Sequence, residues 1–184
     1  MIGVPKALAA AFRVCARCGV VPTRHFLSVN IASQKTTLFG RGEMGYLPTK
    51  VFRCSTSKFG IGEMAGSNKT PRGLHRIARK IGGGWPVGAA FKARQMIGYT
   101  WHGLPEARIT NRILWLEGLE AGFNRGSNVD SFQRYIYIHG TGDEMTLGRP
   151  DSHGCIHLSG NDLLPLYDKL PKGTLVWIAS DHLA

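Results

Sequence analysis

The sequence predicts a mainly β domain, and three observations carry that expectation. Gly (24) and Pro (9) make up about 18% of the 184 residues, against roughly 12% in average usage, which favours frequent turns over long helices. Several strand-length stretches are rich in Val, Ile, Phe, Tyr and Trp and are bounded by Gly, Pro, Ser or Asn, as β-strands are. With 43% hydrophobic and 19% charged residues, the chain has the material for one core and lies far from the composition of disorder.

Residues 1 to 24 show no sustained period and end near Pro22; they read as a tail or a poorly packed helix, with the domain proper spanning 25–184. His25 to Ile31 alternates, with Ser28 and Asn30 on one face and Leu27, Val29 and Ile31 on the other. Lys35 to Phe39 follows after three residues, making a hairpin. Gly40 to Gly45 is a turn, and Tyr46 to Ser55 is the next strand, with Cys54 as a small core residue. Residues 56–73 form a loop closed by the turn Thr70-Pro71-Arg72-Gly73, after which Leu74 to Ile81 resumes as a strand. The stretch 82–108 opens with Gly82-Gly83-Gly84-Trp85-Pro86 and carries Tyr99, Trp101 and His102. A connection that long inside a compact domain is usually functional, so it reads as a lid. Thr110 to Leu119, Arg134 to Ile138 and Leu175 to Ala179 are strands, and Ser159 caps a short helix with Asp162 in its first turn and Pro165 where a first turn tolerates it.

The net charge of +11 is unevenly spread: residues 1–94 carry 16 basic and 2 acidic side chains, residues 95–184 carry 7 and 10. Such a field attracts anionic ligands. Nucleic-acid binding is not expected, because the Lys and Arg are scattered singly rather than clustered with aromatics or along one helix. A solvated basic face accounts for most of them, and a basic apron guiding an anionic substrate is the functional version. No stretch approaches the apolar length of a membrane span, since the run from Ala7 is broken by Arg13 and Arg17. The same run makes a poor signal peptide, so either an export signal lies upstream or the segment is a remnant of one. Cys15 and Cys18 form a C-x-x-C without a second pair; half a zinc site, a local disulfide and an idle pair are the three readings.

Chemistry concentrates in the last third. His139 ends a strand in Ile138-His139-Gly140-Thr141, and Cys155 lies in Ser152-His153-Gly154-Cys155-Ile156-His157. A thiol becomes a nucleophile at neutral pH when an imidazole takes its proton and its surroundings favour the thiolate. Gly154 lets the backbone bend tightly, so that consecutive N–H groups can face a substrate oxygen. Taken singly, Cys155 reads as a small buried hydrophobe and His139 as a surface histidine; together they read as nucleophile and base. Zinc on His139, His153, Cys155 and His157 is the rival, disfavoured because side chains flanking the thiol on a short extended segment match one tetrahedron poorly.

The run Ile138-His139-Gly140-Thr141, Gly148, Ser152-His153-Gly154-Cys155-Ile156, with 16 residues from the histidine to the cysteine, resembles the signature of the L,D-transpeptidase catalytic domain (YkuD type). The opening hairpin, Ser55 to Ser57, the Thr70–Gly73 turn and Pro171-Lys172-Gly173-Thr174-Leu175-Val176 also look like elements of that family, over about residues 25 to 180. The resemblance implies a curved mixed sheet or barrel-like β-sandwich with one or two short helices. It implies a cysteine enzyme that forms 3-3 crosslinks between peptidoglycan stem tetrapeptides without a metal or other cofactor, as a monomer in the periplasm or cell envelope. Cys155 would attack and His139 would act as base and then acid. Gly140 would present a carbonyl to the imidazole, His153, Gly154 and Cys155 would offer N–H groups to the oxyanion, and Ser152 would shape the turn. Thr141, His157, Trp85 and Trp101 are the expected substrate contacts. Against the family pattern, His157 stands where an Arg is usual, and an imidazole lacks the guanidinium's fork of donors. Two alternatives share the fold: an L,D-carboxypeptidase or hydrolase with water as acceptor, and a non-catalytic envelope-binding module.

Overall fold

The computed structural model describes residues 5–181; residues 1–4 of the expected tail and 182–184 of the expected domain lie outside it. Ten strands form one mixed sheet: β1 (His25–Asn30), β2 (Lys35–Gly42), β3 (Gly45–Arg53), β4 (Gly73–Ile81), β5 (Ala89–Lys92), β6 (Gln95–Tyr99), β7 (Ile109–Gly118), β8 (Tyr137–Gly140), β9 (Ile156–Leu158) and β10 (Leu175–Ala179). Two α-helices, α1 (Lys6–Arg17) and α2 (Gly160–Lys169), complete the described residues together with two short 3-10 turns. The order runs β3-β2-β1-β10-β4-β7 and branches at β7. Ile113 pairs with Ile81 of β4 on one edge and with His139 of β8 on the other, while Thr110 pairs with Ala90 of β5 and Gly140 of β8. The β5–β6 hairpin therefore extends the β4 edge, and β8 with β9 extends the opposite edge. The β1–β10 and β8–β9 ladders are parallel and the rest antiparallel. The sheet curves without closing: a single bridge, Ser55 to His157, links the segment after β3 to β9 at the far end of the order.

Both faces of the sheet are covered, which explains why β1 is buried at Phe26, Leu27, Ser28 and Val29 rather than on alternate residues. Leu27, Val29, Ile77, Leu114, Leu116 and Ile138 face a core closed by Leu163, Leu166 and Tyr167 of α2. Phe26, Leu74 and Leu175 face a second core closed by Leu8, Ala11, Val14 and Cys15 of α1. Each large side chain so buried contributes about 1.5–3 kcal/mol. Ser159 caps α2: its Oγ accepts from the Asp162 N–H at 3.2 Å and donates to the Asp162 carboxylate at 2.9 Å.

Four expectations change. The segment expected as a tail or a poorly packed helix contains α1, a well-packed helix with Leu8, Ala11, Val14 and Cys15 buried. Residues 82–108, expected as a lid, hold β5 and β6, a hairpin hydrogen-bonded into the sheet. The strand expected at Arg134 to Ile138 runs instead from Tyr137 to Gly140, because Arg134 and Tyr135 form a turn with Tyr135 at φ 56°. Pro165 lies inside α2, in its second turn.

Candidate active site

β8 and β9 bring the histidines together by register. His139 and His157 are paired residues of a parallel ladder, so their side chains emerge on one face, and the rings lie 4.7 Å apart between centroids at 53°. The His139 Nδ1 lies 2.8 Å from the Gly140 carbonyl oxygen. Because a carbonyl only accepts, Nδ1 carries the proton and Nε2 is left as the lone-pair nitrogen. Gly140 is required here: a Cβ would stand 2.7 Å from both the Thr110 carbonyl and its hydroxyl.

Cys155 immediately precedes β9. Its sulfur accepts from the Tyr137 N–H at 3.4 Å and its thiol donates to the Tyr135 carbonyl at 3.4 Å. The turn before it is held from three sides. The Ser152 hydroxyl donates to the Cys155 carbonyl at 2.6 Å and accepts from the Gly154 N–H at 3.2 Å. The Lys58 N–H donates to the Ser152 carbonyl at 3.1 Å, and the Thr70 hydroxyl donates to the Gly154 carbonyl at 3.1 Å. Gly154 has φ +120°, with the Lys69 carbonyl 3.3 Å from where a Cβ would sit, so glycine is needed both for the dihedral and for the close approach. Since the Gly154 N–H is engaged inside the turn, the His153 and Cys155 N–H groups are the two of the three expected donors left to a substrate oxygen.

One pocket of about 720 Å³ collects His139, Thr141, His153, Cys155 and His157, with Lys58, Glu106, Arg108, Asp143 and Asp151 as its charged walls. His139 is buried, Cys155 and His157 half-buried, and His153 exposed against Phe59 at 5.4 Å. Burial, with the neighbouring His157 second, pushes His139 down to about 3. Burial, with His153 second, takes His157 down to about 4. Burial raises the Cys155 thiol to about 11, opposed by the Tyr137 N–H and the Arg134 charge. At neutral pH the resting site therefore holds a Cys155 thiol and neutral imidazoles at His139 and His157. No hydrogen bond among the described residues joins Cys155 to His139; catalytic hydrogen bonds often form only when substrate arrives.

Trp85 and Trp101 do not line this pocket. Trp101 stacks on Tyr99 at 4.6 Å and its indole N–H donates to the Val87 carbonyl at 3.1 Å, while Trp85 is 45% exposed. The 82–108 segment reaches the pocket through Glu106 and Arg108 instead. Sequence reasoning did not find Tyr135, Tyr137 or Arg134, because two of them act through backbone atoms and the third through carbonyls distant in sequence. Cys15, Cys18 and Cys54 are free thiols away from the pocket. No group of three or more His, Cys, Asp or Glu among the described residues is placed to hold a metal ion.

The branched mixed sheet thus sets the buried His139 of β8 beside Cys155, which immediately precedes the neighbouring strand β9. Residues 24–178 match the L,D-transpeptidase catalytic domain (YkuD), and the chain belongs to that family. Solved structures share the fold. An L,D-transpeptidase from Mycobacterium smegmatis aligns at 16% identity and TM-score 0.53, over 85% of this chain and 58% of its own. Bd1075 of Bdellovibrio bacteriovorus aligns at 16% identity and TM-score 0.56, over 86% and 49%. L,D-transpeptidase 3 from Mycobacterium tuberculosis, solved with a faropenem-derived adduct, aligns at 16% identity and TM-score 0.50, over 84% and 60%. The chain thus spans about half to three-fifths of the length of these relatives. No curated protein matches the sequence.

Proposed function

We propose that this chain is a cysteine-dependent L,D-transpeptidase of the cell envelope that forms 3-3 crosslinks between peptidoglycan stem peptides. The observation that carries the reading is the pairing in one pocket of Cys155 with a histidine whose Nδ1 proton is fixed on the Gly140 carbonyl, leaving Nε2 as a base. The Cys155 sulfur attacks the carbonyl carbon between the third residue and the terminal D-Ala of a donor tetrapeptide, and its proton passes to His139 Nε2. The C–N bond breaks, the D-Ala amine leaves with that proton, and a thioester remains. A second stem's amine then attacks the thioester and gives a proton to His139, the C–S bond breaks, and His139 returns the proton to the departing sulfur. The His153 and Cys155 N–H groups face the oxyanion of each tetrahedral intermediate. The raised thiol and lowered imidazole make a resting ion pair unfavourable, so proton transfer accompanies attack rather than preceding it. Lys58 and Arg108 give the pocket cations for a stem carboxylate, and Glu106, Asp143 and Asp151 give it acids for the incoming ammonium.

Mass spectrometry of the protein incubated with a disaccharide tetrapeptide tests this directly. Loss of D-Ala with formation of a crosslinked dimer is the expected result. Loss of D-Ala without dimer makes water the acceptor and the protein a carboxypeptidase. No loss, with peptidoglycan binding retained in Cys155→Ala, makes it a non-catalytic module.

A further inference from the structure

Arg134 makes more connections around the nucleophile than its place before a strand suggests. Its Nη1 donates to the Glu63 carbonyl at 2.6 Å and the Gly62 carbonyl at 3.2 Å, and its Nη2 to the Lys69 carbonyl at 2.7 Å and the Ser67 hydroxyl at 3.5 Å. Every one of these acceptors is neutral. The nearby Glu63 carboxylate is held by Arg72 at 2.8 Å, so it attracts the Arg134 guanidinium without hydrogen-bonding to it. The Lys69 carbonyl it grips is the atom against which Gly154 is laid, 3.3 Å from where a Cβ would stand. The next residue along from Arg134, Tyr135, supplies the carbonyl that accepts the hydrogen bond of the Cys155 thiol.

We propose that Arg134 is a positioning residue for the reaction: clamped on the carbonyls of residues 62–69, it braces the wall behind the nucleophile turn, fixes the adjoining Tyr135 carbonyl on which the Cys155 thiol rests, and holds its own positive charge in place behind that turn. This assignment rests on the reading of Cys155 as nucleophile. A half-buried cation fixed by neutral carbonyls is screened little by solvent, so its effect falls on the developing thiolate. The direction of its influence on the thiol, downward, agrees. Other titratable groups share the setting. His139 and His157 face Cys155 from β8 and β9, His153 stands in its own turn, and Tyr137 lies beneath it. Lys58, Arg108 and the acids Glu106, Asp143 and Asp151 line the outer pocket, and His75 senses Arg134 from behind. Of the cations among these, only Arg134 is anchored by four hydrogen bonds to neutral acceptors.

The test is the pH dependence of Cys155 alkylation by iodoacetamide, read site by site by mass spectrometry in the full chain. Arg134→Gln keeps amide donors for the carbonyls and removes the charge; Arg134→Lys keeps the charge and loses the fork. Arg134→Gln is expected to move the Cys155 profile to higher pH by about one unit, so that alkylation at pH 7 slows about tenfold. Arg134→Lys is expected to keep the wild-type midpoint. An unmoved profile in Arg134→Gln overturns the assignment, and so does an equal shift in both variants, since a purely structural role predicts that. If one variant fails to fold, the other still decides by its own midpoint. D-Ala release by Cys155→Ala measures the nucleophile reading separately: turnover there would sink that reading, whereas an unmoved Gln profile would sink only the role of Arg134.

Discussion

His75 and His139 are both buried imidazoles whose Nδ1 meets the carbonyl of an adjacent or nearby glycine, at 3.0 Å from Gly73 and 2.8 Å from Gly140. They differ at the other nitrogen. His75 Nε2 is 2.9 Å from the Ser131 hydroxyl, inside a corner where the Glu120 carboxylate accepts from the Leu74 N–H at 2.8 Å and Asn124 donates to the Arg72 and Leu74 carbonyls at 3.0 and 3.2 Å. Among the described residues no hydrogen bond is made to His139 Nε2, and its neighbour His157 has a buried Nδ1 without a partner. Each hydrogen bond of a closed network stabilises the fold modestly, and each buried group left open costs more than that. The corner at His75 is closed by hydrogen bonds and serves stability, whereas the rim at His139 leaves Nε2 open, as the proposed role of a base requires.

The largest expected effects break that contrast if they fail. Cys155→Ala and His139→Ala should each lower D-Ala release by about 10³-fold or more while leaving the melting temperature close to wild type, and the double variant should lose no more than either single one. Measurable turnover at the wild-type rate in Cys155→Ala would end the covalent mechanism. His75→Ala should do the reverse: a loss of about 2–4 kcal/mol in urea unfolding, with turnover of the folded fraction kept within a few-fold. A His75→Ala protein that melts normally but is inactive would show that the two histidines had been assigned the wrong way round.

Acid should strain both regions in the same direction. Burial holds His75 at about 4 and His139 at about 3, below the ordinary 6.5. A histidine with a folded pKa lower than its unfolded one is neutral in the fold and takes up a proton on unfolding between the two values. Stability is therefore complete above about pH 6.5 and declines as pH falls toward 4, by about 1.4 kcal/mol per pH unit for each such histidine. Urea midpoints measured from pH 7 to pH 4.5 should show this fall, and His75→Asn should flatten it even though it is less stable at pH 7. An identical slope in that variant would place the acid sensitivity elsewhere.

Much of the fold was legible where one physical signal dominated. β1, β2, β3, β4, β7 and β10 all coincide with apolar stretches bounded by turn residues, and Ser159 announces α2. α1 escaped although its period is present, with Leu8, Ala11, Val14 and Cys15 at three- and four-residue spacings on the buried face and Lys6, Arg13 and Arg17 on the exposed one; Ala7, Ala9, Ala10 and Ala11 dilute the contrast between the two faces. The β5–β6 hairpin escaped because its two-residue turn is Ala93-Arg94, both at positive φ, where Asn-Gly or Asp-Gly would have signalled it. Arg94 is held there by the Tyr135 ring at 4.7 Å and the Tyr137 hydroxyl at 3.3 Å, a tertiary contact that overrides local preference. At the site, side-chain chemistry was readable from residue type and spacing. The backbone of Tyr135 and Tyr137 was not, because any residue type offers the same carbonyl and N–H.

The smallest expected effect concerns His157, where this chain departs from its family. His157 is half-buried, paired in register with His139, with its Nδ1 enclosed and its ring against the base. His157→Arg places a longer, permanently charged fork at that position. Because a half-buried Arg extends its head toward solvent, the guanidinium should reach the pocket rather than stay beneath His139. If the position reads a stem carboxylate, KM for the tetrapeptide should fall a few-fold with kcat within a factor of about two, since a bidentate guanidinium recognises a carboxylate better than an imidazole does. The added charge also disfavours protonated His139, which is already neutral from pH 6 to 8, so any loss in kcat from a weaker base should be modest and of the same size across that range. Steady-state kinetics from pH 6 to 8 separate the outcomes. A collapse of kcat at every pH would mean that the imidazole itself braces the base, and that the pocket has been rebuilt around a pair of histidines.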